Sequence, residues 1–273
     1  MIEKSVQVDG LKIRYLEEGK GPEVLLLHGA SLGSSADVWE RNLNPLAGHG
    51  LKVIAYDQPG FGLSDNPRDY SVAYRRSFIL QLMDALGIDK AHLVGHSQAG
   101  GMAVGLALNH PERISKVIVV GTGSLLPPLS GSHKQAGPRE GEEGAASEPT
   151  PEDTRVLLEH NLFDHSLITP DVLEKRHRMS IGKNFQAFLE RNQAAQKGGG
   201  KESIPLWQRL DQVPVPLLLI YGRNDRGSAA ERATLAKERY PDLNLRMLDR
   251  CKHLVQWDAA LEFVALSGDF LAS

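Results

Sequence analysis

The sequence predicts an α/β protein, with a mostly parallel sheet, helices on both faces, and a helical cap inserted after the sixth strand. Three observations carry this. Strand-length apolar runs recur at Val24 to Leu27, Lys52 to Tyr56, Lys116 to Val120 and Val215 to Tyr221, as expected of strands buried on both sides. Segments with helical apolar spacing lie between them, and that alternation marks a parallel sheet. The rhythm breaks after Gly121 and resumes near Val215, so one long insertion interrupts a single core. The division is residues 1–123 and 208–273 for the core and 124–207 for the cap, with a flexible segment at 127–153.

In chain order, Ser5 to Glu18 alternates polar and apolar residues around Asp9-Gly10, a pair suited to a tight hairpin turn. The strand Val24 to Leu27 leads into the small-residue loop His28-Gly29-Ala30-Ser31. A helix around Trp39 to Ala47 precedes the strand Lys52 to Tyr56, which ends in Asp57-Gln58-Pro59-Gly60-Phe61-Gly62, where Pro and Gly enforce a turn. Ser71 to Leu86 has helical spacing and Gly87 stops it. The apolar run from Ala91 ends at Gly95-His96-Ser97, and a helix follows through Ala99, Gly100 and Gly101. From Leu126 to Asp153 the chain is rich in Gly, Pro, Glu and Ser and too poor in apolar residues for a core of its own. Thr154 to Phe188 is helical in pieces, with Leu157, Leu158, Leu162, Phe163, Leu167 and Ile168 as the apolar face, and Lys197 to Lys201 is a loop. Strands at Val215 to Tyr221 and Asn244 to Leu248 alternate with helices at Ser228 to Arg239 and Ala259 to Leu271.

Composition excludes several classes of function. The 273 residues are 41% apolar and 24% charged with a net charge of −3, which gives no electrostatic case for nucleic acid or an anionic membrane. A single cysteine, Cys251, rules out an internal disulfide and a clustered-Cys metal site. The opening MIEKSVQVDG has no signal-like pattern and no stretch reaches the roughly eighteen apolar residues of a membrane span. A cytoplasmic protein acting on a small molecule is expected, and self-association is left open.

Chemistry centres on Ser97. A serine in a sharp strand-to-helix turn projects its hydroxyl from the sheet, and the turn needs small neighbours; Ala99 stands where the second glycine of Gly-x-Ser-x-Gly usually does. A serine hydroxyl needs a base and an orienting carboxylate. Asp225 follows the strand ending at Tyr221, and His253 follows the strand ending at Leu248, so the set is Ser97, Asp225 and His253. Donors for a developing oxyanion would be the backbone N–H groups of Gln98 and Ala30. Asp225 could instead cap the helix near Ser228, and Cys251 reads as an inert, half-buried thiol. His96 reads as structural on its position alone.

With His28-Gly29, DQPGFG at 57–62, GHSQAGG at 95–101, YGRND at 221–225 and the late His253 in that order, the whole chain resembles the α/β-hydrolase family. Within it, FDHSLITPDVLEKRHRM at 163–179, PLWQRL at 205–210 and CKHLVQWD at 251–258 look like the meta-cleavage product hydrolases, which split carbon-carbon bonds in ring-opened aromatic compounds. The resemblance implies the triad above, no cofactor, no metal, and a cap in which Arg176 and Trp207 face the dienoate end of the substrate. The chain departs from the family pattern at His28 to Gly33, where HGGGPG is usual, at His96, where asparagine is usual, and at Leu254, where tryptophan is usual. These positions border the substrate in relatives, which makes His28, Gly29, Ser31, His96 and Leu254 substrate-binding candidates. The leading expectation is a serine-type hydrolase of 2-hydroxy-6-oxo-hexa-2,4-dienoate-type compounds. A carboxylesterase is the alternative, and a hydrolase-fold binding protein without catalysis is a third class.

Overall fold

The computed structural model describes residues 1–129, 147–196 and 204–273. An eight-stranded sheet runs in the order β1-β2-β4-β3-β5-β6-β7-β8. Its strands are β1 (Ile2–Val8), β2 (Leu11–Glu18), β3 (Glu23–Leu27), β4 (Lys52–Tyr56), β5 (Ala91–His96), β6 (Ile114–Val120), β7 (Leu217–Gly222) and β8 (Leu245–Leu248). β1, β2 and β4 pair antiparallel, and from β4 onward every pairing is parallel. The first hairpin turns on Asp9 and Gly10, both at positive φ, and the directly opposed Val8 and Leu11 leave the two-residue loop that such dihedrals close. β7 begins two residues later than its apolar run because Pro216 has no N–H to donate; its carbonyl instead receives Val117 N–H at 3.0 Å.

The helices among the described residues are α1 (Glu40–Ala47), α2 (Val72–Ala85), α3 (Gln98–Asn109), α4 (Pro151–Asn161), α5 (Pro170–Arg178), α6 (Lys183–Gln196), α7 (Ala229–Arg239), α8 (Val255–Asp258) and α9 (Ala260–Ala272). Alternate residues of each central strand serve opposite faces. Leu25, Leu27, Leu93, Val117 and Val119 pack with Phe78 and Leu82 of α2 and Met102 and Leu106 of α3. Val24, Leu26, Val94, Ile118 and Val120 pack with Trp39, with Leu43 and Leu46 of α1, and with Phe263 of α9. The layering follows from the period of two along each strand. No helix among the described residues is long and apolar enough to cross a membrane.

The described parts of the segment between β6 and β7 lie over the carboxyl ends of the strands. Lys183 Nζ donates to Ser64 O (2.6 Å), Asn184 Nδ2 to Gly62 O (3.1 Å) and Arg191 Nη1 to Gly60 O (2.8 Å), tying α6 to the loop after β4. Leu254 N–H donates to Asn161 O at 2.9 Å, tying the end of α4 to the loop after β8. α4 starts at Pro151, three residues before the start read from apolar spacing, because Thr150 and Asp153 form a reciprocal capping box. The flexible segment expected at 127–153 therefore loses its last residues to a helix. Residues 130–146 and the loop expected at Lys197 to Lys201 lie outside the described residues.

Asp57 holds two of the strand-end loops together. Its carboxylate accepts Ala36 N–H (2.6 Å) and Leu63 N–H (2.8 Å) and faces Arg14 Nη1 at 3.3 Å, while Arg14 Nη2 donates to Asp37 at 2.8 Å. Burial pushes the Asp57 carboxyl up to about 6 against the pull of Arg14 and of the two backbone donors. Arg14→Met should lower stability by about 3 kcal/mol, since removing one partner strands buried carboxylates. Urea denaturation of the two proteins measures the difference.

Candidate active site

Ser97 stands between β5 and α3 with φ 57° and ψ −126°, a left-handed conformation that side chains other than glycine rarely adopt. Its N–H donates to Val120 O (2.8 Å), and its carbonyl accepts Thr122 Oγ1–H (2.6 Å) and Gly100 N–H (3.1 Å). The small neighbours are required. A Cβ on Gly95 would lie 2.6 Å from Gly100 Cα, and one on Gly100 would strike Thr122 Oγ1. Ala99 is fully buried and its methyl group is accommodated.

The loops after β7 and β8 bring Asp225 and His253 together. His253 Nδ1 lies 3.0 and 3.2 Å from the two Asp225 carboxylate oxygens, and both side chains are nearly buried. A proton on Nδ1 satisfies that pair, which makes Nε2 the basic nitrogen of the neutral ring. Gly121, at φ 61°, lets the pair come close, because a Cβ there would stand 3.3 Å from His253 Nδ1 and 3.5 Å from Asp225 Oδ2. Asp225 also accepts Arg226 N–H at 2.8 Å; among the described residues no bond from Asp225 to the cap of α7 appears.

His96 is engaged with the same histidine. Its Nε2 donates to His253 O at 3.0 Å and the two rings lie 4.8 Å apart. The loop after β3 runs against both residues, since a Cβ on Gly29 would fall 3.0 Å from Ser97 Cβ and 3.1 Å from His96 Nδ1. Ala30 follows at once, and the Gln98 N–H opens α3. These are the two backbone groups expected to serve a developing oxyanion. The Gln98 side chain is held by Arg75 Nη2, a contact the sequence did not signal.

His28 lies beneath this loop with both ring nitrogens occupied. Gln58 N–H donates to Nε2 at 3.0 Å, so Nδ1 carries the proton and donates to Gly29 O at 2.7 Å. The ring is therefore neutral and shapes the loop; its nitrogens face backbone, where the sequence reading had it contact substrate. Burial drives its pKa down to about 3, the Gly29 carbonyl opposes that, and Arg75, Arg176 and Arg191 reinforce it.

The remaining expected residues separate into two places. Arg176 Nη2 donates to Ser31 Oγ at 2.8 Å, and a cavity of about 340 Å³ beside this contact is lined by Leu254, Trp257, Leu158, Val172 and Arg176. Ser97 and His253 are not among the residues lining that cavity. Trp207 is elsewhere. It lies under the Arg239 guanidinium of α7, 5.3 Å from centroid to cation, and it is not among the residues lining the cavity beside Arg176. Sequence reasoning also passed over Gln58, Thr122, Arg75 and Arg191; only the Gln58 position, inside the Pro-Gly loop, carried a signal.

A family model described as the alpha/beta hydrolase fold matches residues 22–260. A 2-hydroxy-6-oxo-6-phenylhexa-2,4-dienoate hydrolase from Burkholderia cepacia is 34% identical, over 97% of this chain and 93% of the relative. A 2-hydroxy-6-oxononadienedioate/2-hydroxy-6-oxononatrienedioate hydrolase from Comamonas testosteroni is 33% identical over the same shares. Among solved structures, the phenylhexadienoate hydrolase from Rhodococcus sp. strain RHA1 superposes with a TM-score of 0.83 at 26% identity, over 100% of this chain and 99% of that one.

The geometry of His28 sets a pH dependence. Between pH 6.5 and about 3 the unfolded chain binds a proton at this residue that the folded chain refuses, so stability falls as pH drops through that range. The slope from this group is at most about 1.4 kcal/mol per pH unit. Denaturant midpoints at pH 4, 5 and 6.5 should fall less steeply for His28→Gln than for the native protein.

Proposed function

The chain belongs to the α/β-hydrolase fold family and, within it, to the meta-cleavage product hydrolases, and from that premise we propose that it hydrolyses a carbon-carbon bond of a 2-hydroxy-6-oxo-dienoate through Ser97, His253 and Asp225. The observation that carries the reading is the Asp225–His253 pair at 3.0 Å, delivered to the same strand-end crevice as a serine in the left-handed turn. Ser97 is the nucleophile, His253 the base that takes its proton, and Asp225 the carboxylate that orients the ring and stabilises its charged form.

The substrate must first pass from enol to keto form, so that the carbon leaving the ketone departs as a stabilised carbanion. Ser97 and water then act on the ketone carbonyl, whose oxygen is received by Ala30 and Gln98 N–H. Water adds across the broken bond, leaving a carboxylic acid and a short dienoate. Arg176, fixed by Ser31, offers a planar fork of donors to the dienoate carboxylate. That role favours a dienoate acid over the neutral ester of an ordinary carboxylesterase. Trp207 is left out of the binding site because it packs against α7. The substrate is a small molecule, and a cytoplasmic setting fits the lone, buried Cys251 thiol.

Ser97→Ala should lower dienoate turnover by several orders of magnitude with the fold retained, and Asp225→Asn should be nearly as severe and non-additive with it. Stopped-flow loss of the yellow dienoate chromophore measures both; residual activity above roughly a hundredth of native in Ser97→Ala would remove the serine from the mechanism. A charge-assisted hydrogen bond contributes about 1.5 to 3 kcal/mol, so Arg176→Gln should lower kcat/KM on the dienoate about tenfold to a hundredfold. A p-nitrophenyl ester assayed beside it should change little. Equal loss on both substrates would make Arg176 a structural residue of the cap.

A further inference from the structure

The carboxyl end of α4, in the cap, reaches both of the loops that carry Asp225 and His253. At their bases those loops are joined to each other, by Arg223 N–H to Leu248 O and Asn224 N–H to Cys251 O, both at 2.9 Å. Beyond these bonds the cap holds each of them. The last carbonyls of a helix have no partner within it, and in α4 two of them take donors from either side of His253. Glu159 O accepts Lys252 Nζ at 2.8 Å, and Asn161 O accepts Leu254 N–H at 2.9 Å. The Asn161 side chain turns to the other loop. Its Oδ1 accepts Arg226 Nη1 at 3.0 Å, while its Nδ2 donates to Leu157 O at 2.5 Å. With a donor facing one end and an acceptor the other, these bonds allow the buried amide one orientation. Arg226 follows Asp225 directly, and its N–H donates to Asp225 Oδ1 at 2.8 Å.

We propose that Asn161 is a positioning residue for the Asp225–His253 pair, acting from the cap on both loops at once. The inference rests on the triad assigned above and extends it to how the pair is held. His253 Nδ1 must meet the Asp225 carboxylate for Nε2 to be the base, and that contact of 3.0 Å joins loops from two different strands. A pair assembled from separate loops keeps its geometry only when residues outside it support both members. Asn161 fixes the residue after each member, Leu254 through its backbone oxygen and Arg226 through its side-chain oxygen. Leu158 and Leu254 line the cavity beside Arg176, whereas Asn161 does not. The clamp therefore bears on the reactivity of Ser97 and not on the choice of acyl group, which sets it apart from Arg176. Correct seating of α4 becomes a condition for an active triad.

The test measures kcat and KM for the native protein and its variants on two substrates, a 2-hydroxy-6-oxo-6-phenyl dienoate and p-nitrophenyl acetate. Asn161→Ala removes the acceptor for Arg226 and leaves the backbone bond to Leu254. It should lower kcat about five- to tenfold on both substrates with KM within about twofold of native, since a displaced catalytic group slows the chemical step. Asn161→Asp keeps an acceptor for Arg226 and should restore most of the rate. Arg226→Met should reproduce the loss, and the double variant should be no slower than the slower single one, as residues acting through one contact behave. Arg226→Met leaves α4 intact and decides the matter if Asn161→Ala does not fold. Four results would overturn the clamp and leave the triad standing: kcat within about twofold of native in both single variants, a loss confined to KM or to the dienoate, an Asn161→Asp protein no faster than Asn161→Ala, or additive losses in the double variant. Turnover unchanged in Ser97→Ala would overturn both.

Discussion

The backbone of Ser97 is the constraint on which the rest depends. A non-glycine residue at φ 57° costs on the order of 1 to 3 kcal/mol and persists only where its surroundings over-determine it. Here β6 supplies the surroundings. Val120 O takes the Ser97 N–H and Thr122 Oγ1 holds the Ser97 carbonyl, so the turn is stitched to the neighbouring strand on both sides of its Cα. β6 can do this only because it runs parallel to β5, in regular register from Leu93 opposite Val117 to His96 opposite Val120. Parallel pairing continues through β7 and β8, and it delivers Asp225 and His253 to the same edge as Ser97. A chain reversal anywhere in that half of the sheet would put one member at the opposite end.

Local charge and overall charge point in opposite directions. The molecule carries a net charge of −3, yet buried His28 feels three cations, Arg75, Arg176 and Arg191, and is held neutral. In a buried, weakly screened space the nearby cations outweigh the distant surface carboxylates. A net charge of −3 gives no electrostatic case for a polyanion and is silent about a small anion, because a few buried guanidiniums leave the total almost unchanged. The neutrality of His28 also matters to the loop it supports, since a charged ring would lose the hydrogen bond from Gln58 N–H that sets its tautomer.

The order of strands and helices, the turn at Ser97 and the Asp225–His253 pair were legible because each has a local signal. Apolar runs give strands, and Gly-x-Ser followed by small residues gives the turn. An acid and a histidine just past two late strands complete the set. The residues that were not legible are those whose role depends on long-range contact. Thr122 acts on a residue 25 positions earlier, and Arg191 reaches Gly60 across 131 positions; no periodicity encodes either. Trp207 is the converse case. A resemblance in the short stretch 205–210 suggested a pocket wall, whereas the contact the ring makes, with Arg239 of α7 32 positions later, has no local signal.

The loop after β3 shows why a departure from a glycine-rich pattern need not disturb the site. Glycine is required there only where backbone meets backbone or a side chain at close range. Gly29 meets that condition against Ser97 and His96, and Gly33, at φ 74°, meets it against α5, since a Cβ there would lie 2.7 Å from Arg176 O. Between them the constraint is absent, and side chains appear that attach the cap to the core. Ser31 bonds Arg176, and Leu32 packs with Phe185 and Phe188 of α6. The glycines retained are those the geometry demands. The intervening residues make the loop a joint between the carboxyl ends of the strands and helices α5 and α6. Ser31 thus holds α5 through Arg176, and Leu32 holds α6 through Phe185 and Phe188, so a substitution at either position loosens a different part of the cap.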